Sequence, residues 1–335
     1  METKPLIITV PASESGNRLD AFLSSQIAGW SRSRLQRLFE NGDVLVNERE
    51  AKASYKIRES DEIDVDLTEE PAARFEPEDI PLDIVYEDEY LAVINKPAGM
   101  IVHPGAGAQN GTLANAIAYH LGFRNSDLGF EGNDEQSKIQ NLKSKIGIVH
   151  RLDKDTSGLI VVAKDEQTHE ALAEQFRTRT VFKSYVALVH GNPRENSGTI
   201  DRPIARDRWH RTKMTVAANG RHALSIWKVR ERFEKFSLLE VEIKTGRTHQ
   251  IRVHLASINH PVVGDGTYNE GRDNTIADHE MKRAVDSLNR FFLHAEKLSF
   301  THPVSGERLE FVQPIPAELE ELLKRLESKD SVSSG

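Results

Sequence analysis

The sequence predicts an α+β protein in two domains, and three observations carry that reading. Apolar and polar residues alternate in runs such as Ile63-Asp64-Val65-Asp66-Leu67 and Leu239 to Ile243, the period-two signature of half-buried strands. Leu319, Leu322, Leu323 and Leu326 instead recur at helical spacing. A stretch rich in proline and acid, residues 68–80, divides the 335-residue chain into unequal parts.

In the first part, residues 1–67 with a core over about 16–67, Leu19, Phe22, Leu23 and Ile27 mark one helix. Ser31 is placed to cap a second, with Leu35, Leu38 and Phe39 on its inner face and Gly42 as its C′ residue. Val44-Leu45-Val46 and the alternating run at 63–67 read as strands, which makes this a small α/β unit. Arg32, Arg34 and Arg37 then face solvent.

The second part, residues 81–328, opens with Ile84-Val85-Tyr86 and Leu91-Ala92-Val93-Ile94 as a hairpin, followed by a tight turn at Pro97-Ala98-Gly99. Polar residues 124–145 read as a mobile insertion, and a second insertion spans about 268–290. Phe182 to Val189 reads as a strand, and Gly246 ends the strand at 239–243. Ile251, Leu255 and Ile258 resume at helical spacing, with Thr248 as the expected cap. Residues 329–335 read as a frayed tail.

The chain has no cysteine, which removes disulfides and thiolate chemistry. It has no 18-residue apolar span and no signal-peptide pattern, so a soluble, cytoplasmic protein is expected, most simply a monomer. Its net charge of −8 is unevenly spread. Residues 59–80 hold ten acids against Arg74, whereas 18–39 hold four arginines against Asp20. Residues 202–213 hold Arg202, Arg206, Arg208, Arg211 and Lys213 around Trp209 and His210, with Asp207 the one acid. Cations interleaved with an aromatic suit RNA phosphates and stacked bases.

The most informative stretch is Gly147-Ile148-Val149-His150-Arg151-Leu152-Asp153-Lys154-Asp155-Thr156-Ser157-Gly158. A carboxylate on a short polar loop between buried runs is placed to serve as nucleophile or general base, although a solvated turn between strands would look the same. Two more clusters stand out, Lys183-Ser184-Tyr185 on a strand and Lys244 to His254 across a strand-to-helix turn. Arg247 at that turn could reach a carboxylate, or form a surface ion pair. The 13 histidines hold no zinc pattern, since His249 and His254 are five apart, and no metal or cofactor is expected.

Residues 18–23, 31–36 and 42–47 resemble the S4 RNA-binding domain of a ribosomal protein and several RNA-modifying enzymes, with Ser60-Asp61 where that family has Gly-Asp. Four further strings resemble the pseudouridine synthases of the RluA/RluD family. They are Asn95-Lys96-Pro97 with Gly99 and His103-Pro104, His150-Arg151-Leu152-Asp153 with Thr156-Ser157-Gly158, Lys183-Ser184-Tyr185, and Thr245 to His254 with His260-Pro261 and Gly264-Asp265. The resemblance implies a mixed, largely antiparallel sheet with flanking helices. It also implies an isomerisation without cofactor, in which uracil is detached, rotated and rejoined through carbon 5. Asp153 would be the catalytic carboxylate, attacking ribose or ring. Tyr185 would lie against the base, and Arg247 would pair with Asp153. Arg151, or less directly His150, would fill the gap left by the flipped uridine. Large-subunit ribosomal RNA is the implied substrate, with transfer RNA or another ribosomal site as the alternative; neither DNA nor a membrane is implied.

Two rivals remain at this level. Asp153-Lys154-Asp155-Thr156 satisfies the Asp-x-Asp-x-Thr string of haloacid-dehalogenase phosphatases, but His150-Arg151 interrupt the strand that should lead into it. A non-catalytic RNA-binding assembly factor would keep the first domain and need none of the three catalytic positions.

Overall fold

The computed structural model describes residues 6–27, 35, 38–39, 43–65, 76–104, 110–122, 147–210 and 212–333. The chain divides into two compact units, with a boundary between Glu76 and Pro77. The expected insertion at 124–145, the linker up to residue 75, the Ser31 cap and the Gly42 C′ position lie outside the described residues, as do Arg32, Arg34, Arg37 and Arg211.

In the first unit, β1 (Leu6–Thr9), β2 (Val44–Val46), β3 (Arg49–Glu50) and β4 (Glu62–Val65) form an antiparallel sheet in the order β1-β4-β2-β3. Helix α1 (Leu19–Gln26) sets Leu19, Phe22 and Leu23 into a core with Leu35, Leu38, Val44, Ile63 and Val65. Ser60 adopts φ 65° where the related domains carry glycine. The turn is held by the buried carboxylate of Asp61, which accepts from Arg58 N (2.8 Å), Asn47 Nδ2 (2.9 Å) and Tyr55 Oη (3.1 Å).

The second unit is a mixed sheet flanked by helices, as expected. Its elements are β5 (Ile84–Glu87), β6 (Leu91–Lys96), α2 (Leu113–His120), β7 (Ser157–Ala163), α3 (Glu166–Arg177), β8 (Phe182–His190), β9 (Ser197–Asp201), β10 (Ile204–Arg206), β11 (Met214–Val216), β12 (Leu224–Arg232), β13 (Phe236–Ile243), α4 (Gln250–Ser257), α5 (His279–Ser287), β14 (Leu293–Thr301), β15 (Arg308–Val312) and α6 (Ala317–Ser333). The strand order is β5-β6-β7-β14-β8-β13-β12-β9, and β15 also pairs with β14. The pair β7–β14 is parallel and spans only His294↔Ser157 and Ala295↔Gly158; the other ladders are antiparallel. Its continuous run Leu159-Ile160-Val161-Val162 suits β7 for burial on both faces. Leu172 of α3 packs there with Leu91, Val93, Leu298 and Phe300.

Two expectations need correction. Residues 268–290 are built into the unit. Asp273 accepts from Asn269 Nδ2 and Gly264 N and meets His190 Nε2 at 2.7 Å, and α5 buries Met281 and Val285. The tail does not fray at 329, since α6 runs to Ser333 and Lys329 forms an ion pair with Asp278, the N-cap of α5.

Glycines close both ends of the loop that carries Asp153. Gly147 (φ +70°) lies so near β7 that a Cβ would fall 1.8 Å from the Ala163 carbonyl oxygen. At Gly158 (φ +111°) a Cβ would fall 2.3 Å from that of Ala295. Both contacts are backbone, so neither neighbour can rotate away. Gly158→Ala should therefore destabilise the protein by roughly 2–4 kcal/mol in urea unfolding. A change below about 0.5 kcal/mol would contradict the close approach.

Candidate active site

Asp153 follows His150-Arg151-Leu152 on the loop entering β7 and is 15% exposed. Its ion-pair partner is Arg252, not Arg247. Arg252 Nη1 lies 3.3 Å from Asp153 Oδ2, while its Nε and Nη2 bind both oxygens of Asp265 at 2.7 and 2.8 Å. The guanidinium is 7% exposed and Asp265 1%. Its plane lies between two rings, 4.2 Å from the Phe291 centroid and 4.9 Å from that of Tyr268. Burial opposes the Arg252 charge, yet hydrogen bonds and charges from Asp265 and Asp153 hold its pKa above the ordinary value.

The turn before α4 explains the exchange of arginines. Thr248 does not cap the helix; the cap position is His249, in a left-handed conformation (φ 54°) with no side-chain cap. Gln250 stitches the turn instead, accepting from Arg247 N (3.0 Å) and Thr245 Oγ1 (2.7 Å) and donating to Leu224 O (3.0 Å). Starting the helix at Gln250 puts Arg252 on its inward side, between buried Ile251 and Val253. Arg247 stays on the turn, and its Nε donates to His222 O (3.0 Å).

Tyr185 sits at the centre of the sheet, opposite Val241 of β13 and Ala295 of β14. Alternation along β8 sends Lys183 and Tyr185 out on one face. Both, with Asp153, Arg151, Arg247 and Arg252, line a cavity of about 460 Å³, within the roughly 300–1,000 Å³ of small-ligand sites. Asp153, Arg151, His249 and Arg252 also line an adjoining space of about 490 Å³ that reaches Asp265 and Thr267. Burial and the nearby Asp153 charge push the Tyr185 hydroxyl well above its ordinary pKa, so it stays a phenol.

The RNA-contact candidates divide. Arg151 is exposed and lines the cavity. His150 turns inward, stacks on Phe176 at 4.6 Å and accepts from Val161 N (3.1 Å). Burial, with Lys183 nearby, pushes it down to about 3, so it is a neutral structural acceptor and not a wedge. The basic stretch forms the β10–β11 hairpin. Arg206 and Arg208 are exposed and Trp209 is 87% exposed, whereas Lys213 Nζ is tied to Thr267 O (2.9 Å).

Several residues were overlooked as site builders. Lys96, fully buried, donates to Pro97 O (2.7 Å), Met100 O (2.9 Å) and Lys154 O (3.0 Å), fastening the Asp153 loop. Burial, reinforced by Arg290, pushes its ammonium down to about 7, while Asp155 and Asp153 act the other way. His249 Nδ1 meets Tyr268 Oη at 2.7 Å, and that oxygen accepts from Met214 N (2.8 Å). His254 is engaged at both ring nitrogens, by Ser225 Oγ and Arg202 O. Among the described residues no three His, Asp or Glu side chains lie close enough to hold a metal ion.

A family model for RNA pseudouridylate synthases matches residues 90–257, and one for the S4 domain matches 17–63. An uncharacterised RNA pseudouridine synthase of Bacillus subtilis is 41% identical over 319 residues, covering 95% of this chain and 97% of the relative. The ribosomal large subunit pseudouridine synthase D of Xanthomonas campestris is 40% identical over 323 residues, covering 95% and 91%. The solved human RNA pseudouridylate synthase domain-containing 4 aligns with a TM-score of 0.55 at 27% identity, over 73% of this chain and 92% of that one. The two matched family models together mark the class as an RNA-modifying enzyme. The chain belongs to the RNA pseudouridylate synthase family, and its activity is the isomerisation of uridine in RNA.

Removing Arg252 would leave Asp265 and Asp153 without their shared counter-charge. Arg252→Met should cost roughly 3–5 kcal/mol in guanidinium chloride unfolding. Arg247→Met, which breaks no ion pair among the described residues, should stay within about 1 kcal/mol of wild type. Equal losses would refute the assignment of Arg252 as the partner.

Proposed function

We propose that this enzyme converts specific uridines of large-subunit ribosomal RNA to pseudouridine, acting as a monomer in the cytoplasm, with the first unit docking the RNA. The observation that carries the catalytic part is the Arg252-held carboxylate of Asp153, lining one cavity with Tyr185. The substrate reading is supported by relatives named ribosomal large subunit pseudouridine synthase D at about 40% identity over most of the chain.

In the reaction the bond from ribose carbon 1′ to nitrogen 1 breaks and one to carbon 5 forms. Carbon 5 loses a proton and nitrogen 1 gains one, so no redox partner or group carrier is needed. Asp153 is the attacking carboxylate, and Arg252 holds it ionised and aimed. Tyr185 offers its ring to the uracil as a neutral phenol, a stacking surface and hydrogen-bond donor. Arg151, exposed beside Asp153, is the residue that fills the stack after the uridine flips out.

Asp153→Asn keeps size and shape but removes the charge. It should lower tritium release from carbon-5-labelled uridine transcripts by roughly 10³-fold or more while RNA binding persists. In a deletion strain, carbodiimide-dependent reverse-transcription stops should vanish at discrete positions of large-subunit RNA. A stop pattern unchanged from wild type would sink the ribosomal assignment.

A further inference from the structure

The cavity around Asp153 carries a surplus of positive charge that pairing to that aspartate does not explain. Six basic side chains line it, Arg151, Arg177, Lys183, Lys244, Arg247 and Arg252, against the single acid Asp153. Three have carboxylate partners: Arg252 with Asp153 and Asp265, Arg177 with Glu174, and Lys244 with Glu242. Among the described residues, Arg151, Lys183 and Arg247 have none.

Lys183 is the most unusual of these. An ammonium has three donors, yet among the described residues no acceptor is hydrogen-bonded to this half-buried one, which opens into the cavity. Its Nζ stands 5.0 Å above the ring of Phe176, whose stacking partner is the neutral His150. Burial, with no acid to oppose it, pushes Lys183 down to about 8. Arg247 is likewise surrounded by cations. Burial first, then the Arg221 and Arg179 charges, lower its pKa. Two cations kept in one cleft without a counter-charge lack a ligand, and in an RNA enzyme that ligand is anionic.

We propose that Lys183 and Arg247 form a phosphate subsite that takes a backbone phosphodiester next to the uridine presented to Asp153. This rests on the RNA-modifying reading above and adds a binding element to it. The ring of Phe176 holds the lysine stem, so the ammonium is aimed before RNA arrives. Arg247, with its Nε anchored on His222 O, keeps both terminal nitrogens free to face phosphate oxygens. The site also screens Asp153 from the charge of the incoming strand.

The test is equilibrium binding of the whole protein to a fluorescein-labelled RNA hairpin with a uridine-rich loop, read by anisotropy. Lys183→Gln and Arg247→Gln should each weaken binding about tenfold at neutral pH. Each should also reduce the salt-dependence slope by roughly 0.7–0.9. Phosphate binds the protonated lysine, so wild-type affinity should fall as pH rises through about 8, by about fivefold at one pH unit above that value and levelling near tenfold at two. Lys183→Gln should lose this pH dependence, and Lys183→Arg should keep neutral-pH affinity while also losing it. The thermal midpoint of Lys183→Gln should equal or exceed that of wild type, because an uncompensated charge is removed. Wild-type affinity, salt slope and pH profile in Lys183→Gln would overturn the subsite, as would a lowered midpoint with unchanged binding. Tritium release is measured separately. Its absence in the wild type would sink the functional reading but leave the binding comparison decisive for the subsite.

Discussion

The site depends on one guanidinium. Arg252 is nearly inaccessible to water, and it is shared between a fully buried acid, Asp265, and a partly open one, Asp153. The bidentate contact to Asp265 fixes the orientation of the fork, and the rings of Phe291 and Tyr268 fix its plane. That leaves Nη1 aimed at Asp153. A buried ion pair contributes little net stability, because desolvation offsets the attraction. It does restrict geometry, and the attack proposed for Asp153 needs restricted geometry.

The loop carrying Asp153 is restrained to match. Gly147 and Gly158 let its two ends lie against the backbones of β7 and β14 where any side chain would collide. Between them, Thr156 N donates to Asp153 O (3.1 Å), and Lys96 draws the Lys154 carbonyl toward the 97–100 turn. Because β7 and β14 stay paired for only two residues, the loop lies where the sheet begins to part, close to Leu293 and within reach of Tyr185. Backbone contacts, a buried lysine and the split of the sheet thus act on the same few atoms.

Much of this was legible in the sequence, and the failures have physical reasons. The strands and helices were readable because their apolar periods are strong, and Asp153 because its loop is short and flanked by buried runs. The partner arginine was not, because Arg247 and Arg252 lie in one motif and only the first helical residue decides which faces inward. A signal was present. Arg252 lies in a helix buried from Gln250 to Leu255, and a buried arginine requires an acid. His150 read as an RNA contact because its ring partner, Phe176, is distant in sequence. Residues 268–290 read as an insertion because composition registers polarity and not pairing. Asn269 and Asp273 are polar but satisfy each other and His190 inside the fold.

The overall charge of −8 is no obstacle to an RNA partner, because the total adds together charges that are unevenly spread along the chain. Acids crowd residues 59–80, while the cavity at Asp153 is lined by six cations. Arg252 is neutralised by the acids it holds, so it adds little to the field seen by an incoming strand. Attraction therefore falls to the cations without carboxylate partners among the described residues, Arg151, Lys183 and Arg247. In the role proposed for Asp153 an anionic nucleophile approaches a polyanion, and within a Debye length of about 8 Å salt screens that repulsion poorly. Cations fixed beside the carboxylate overcome it. The excess of basic groups is thus a requirement of using aspartate on RNA, and it explains why a cleft built around one acid is lined mainly by bases.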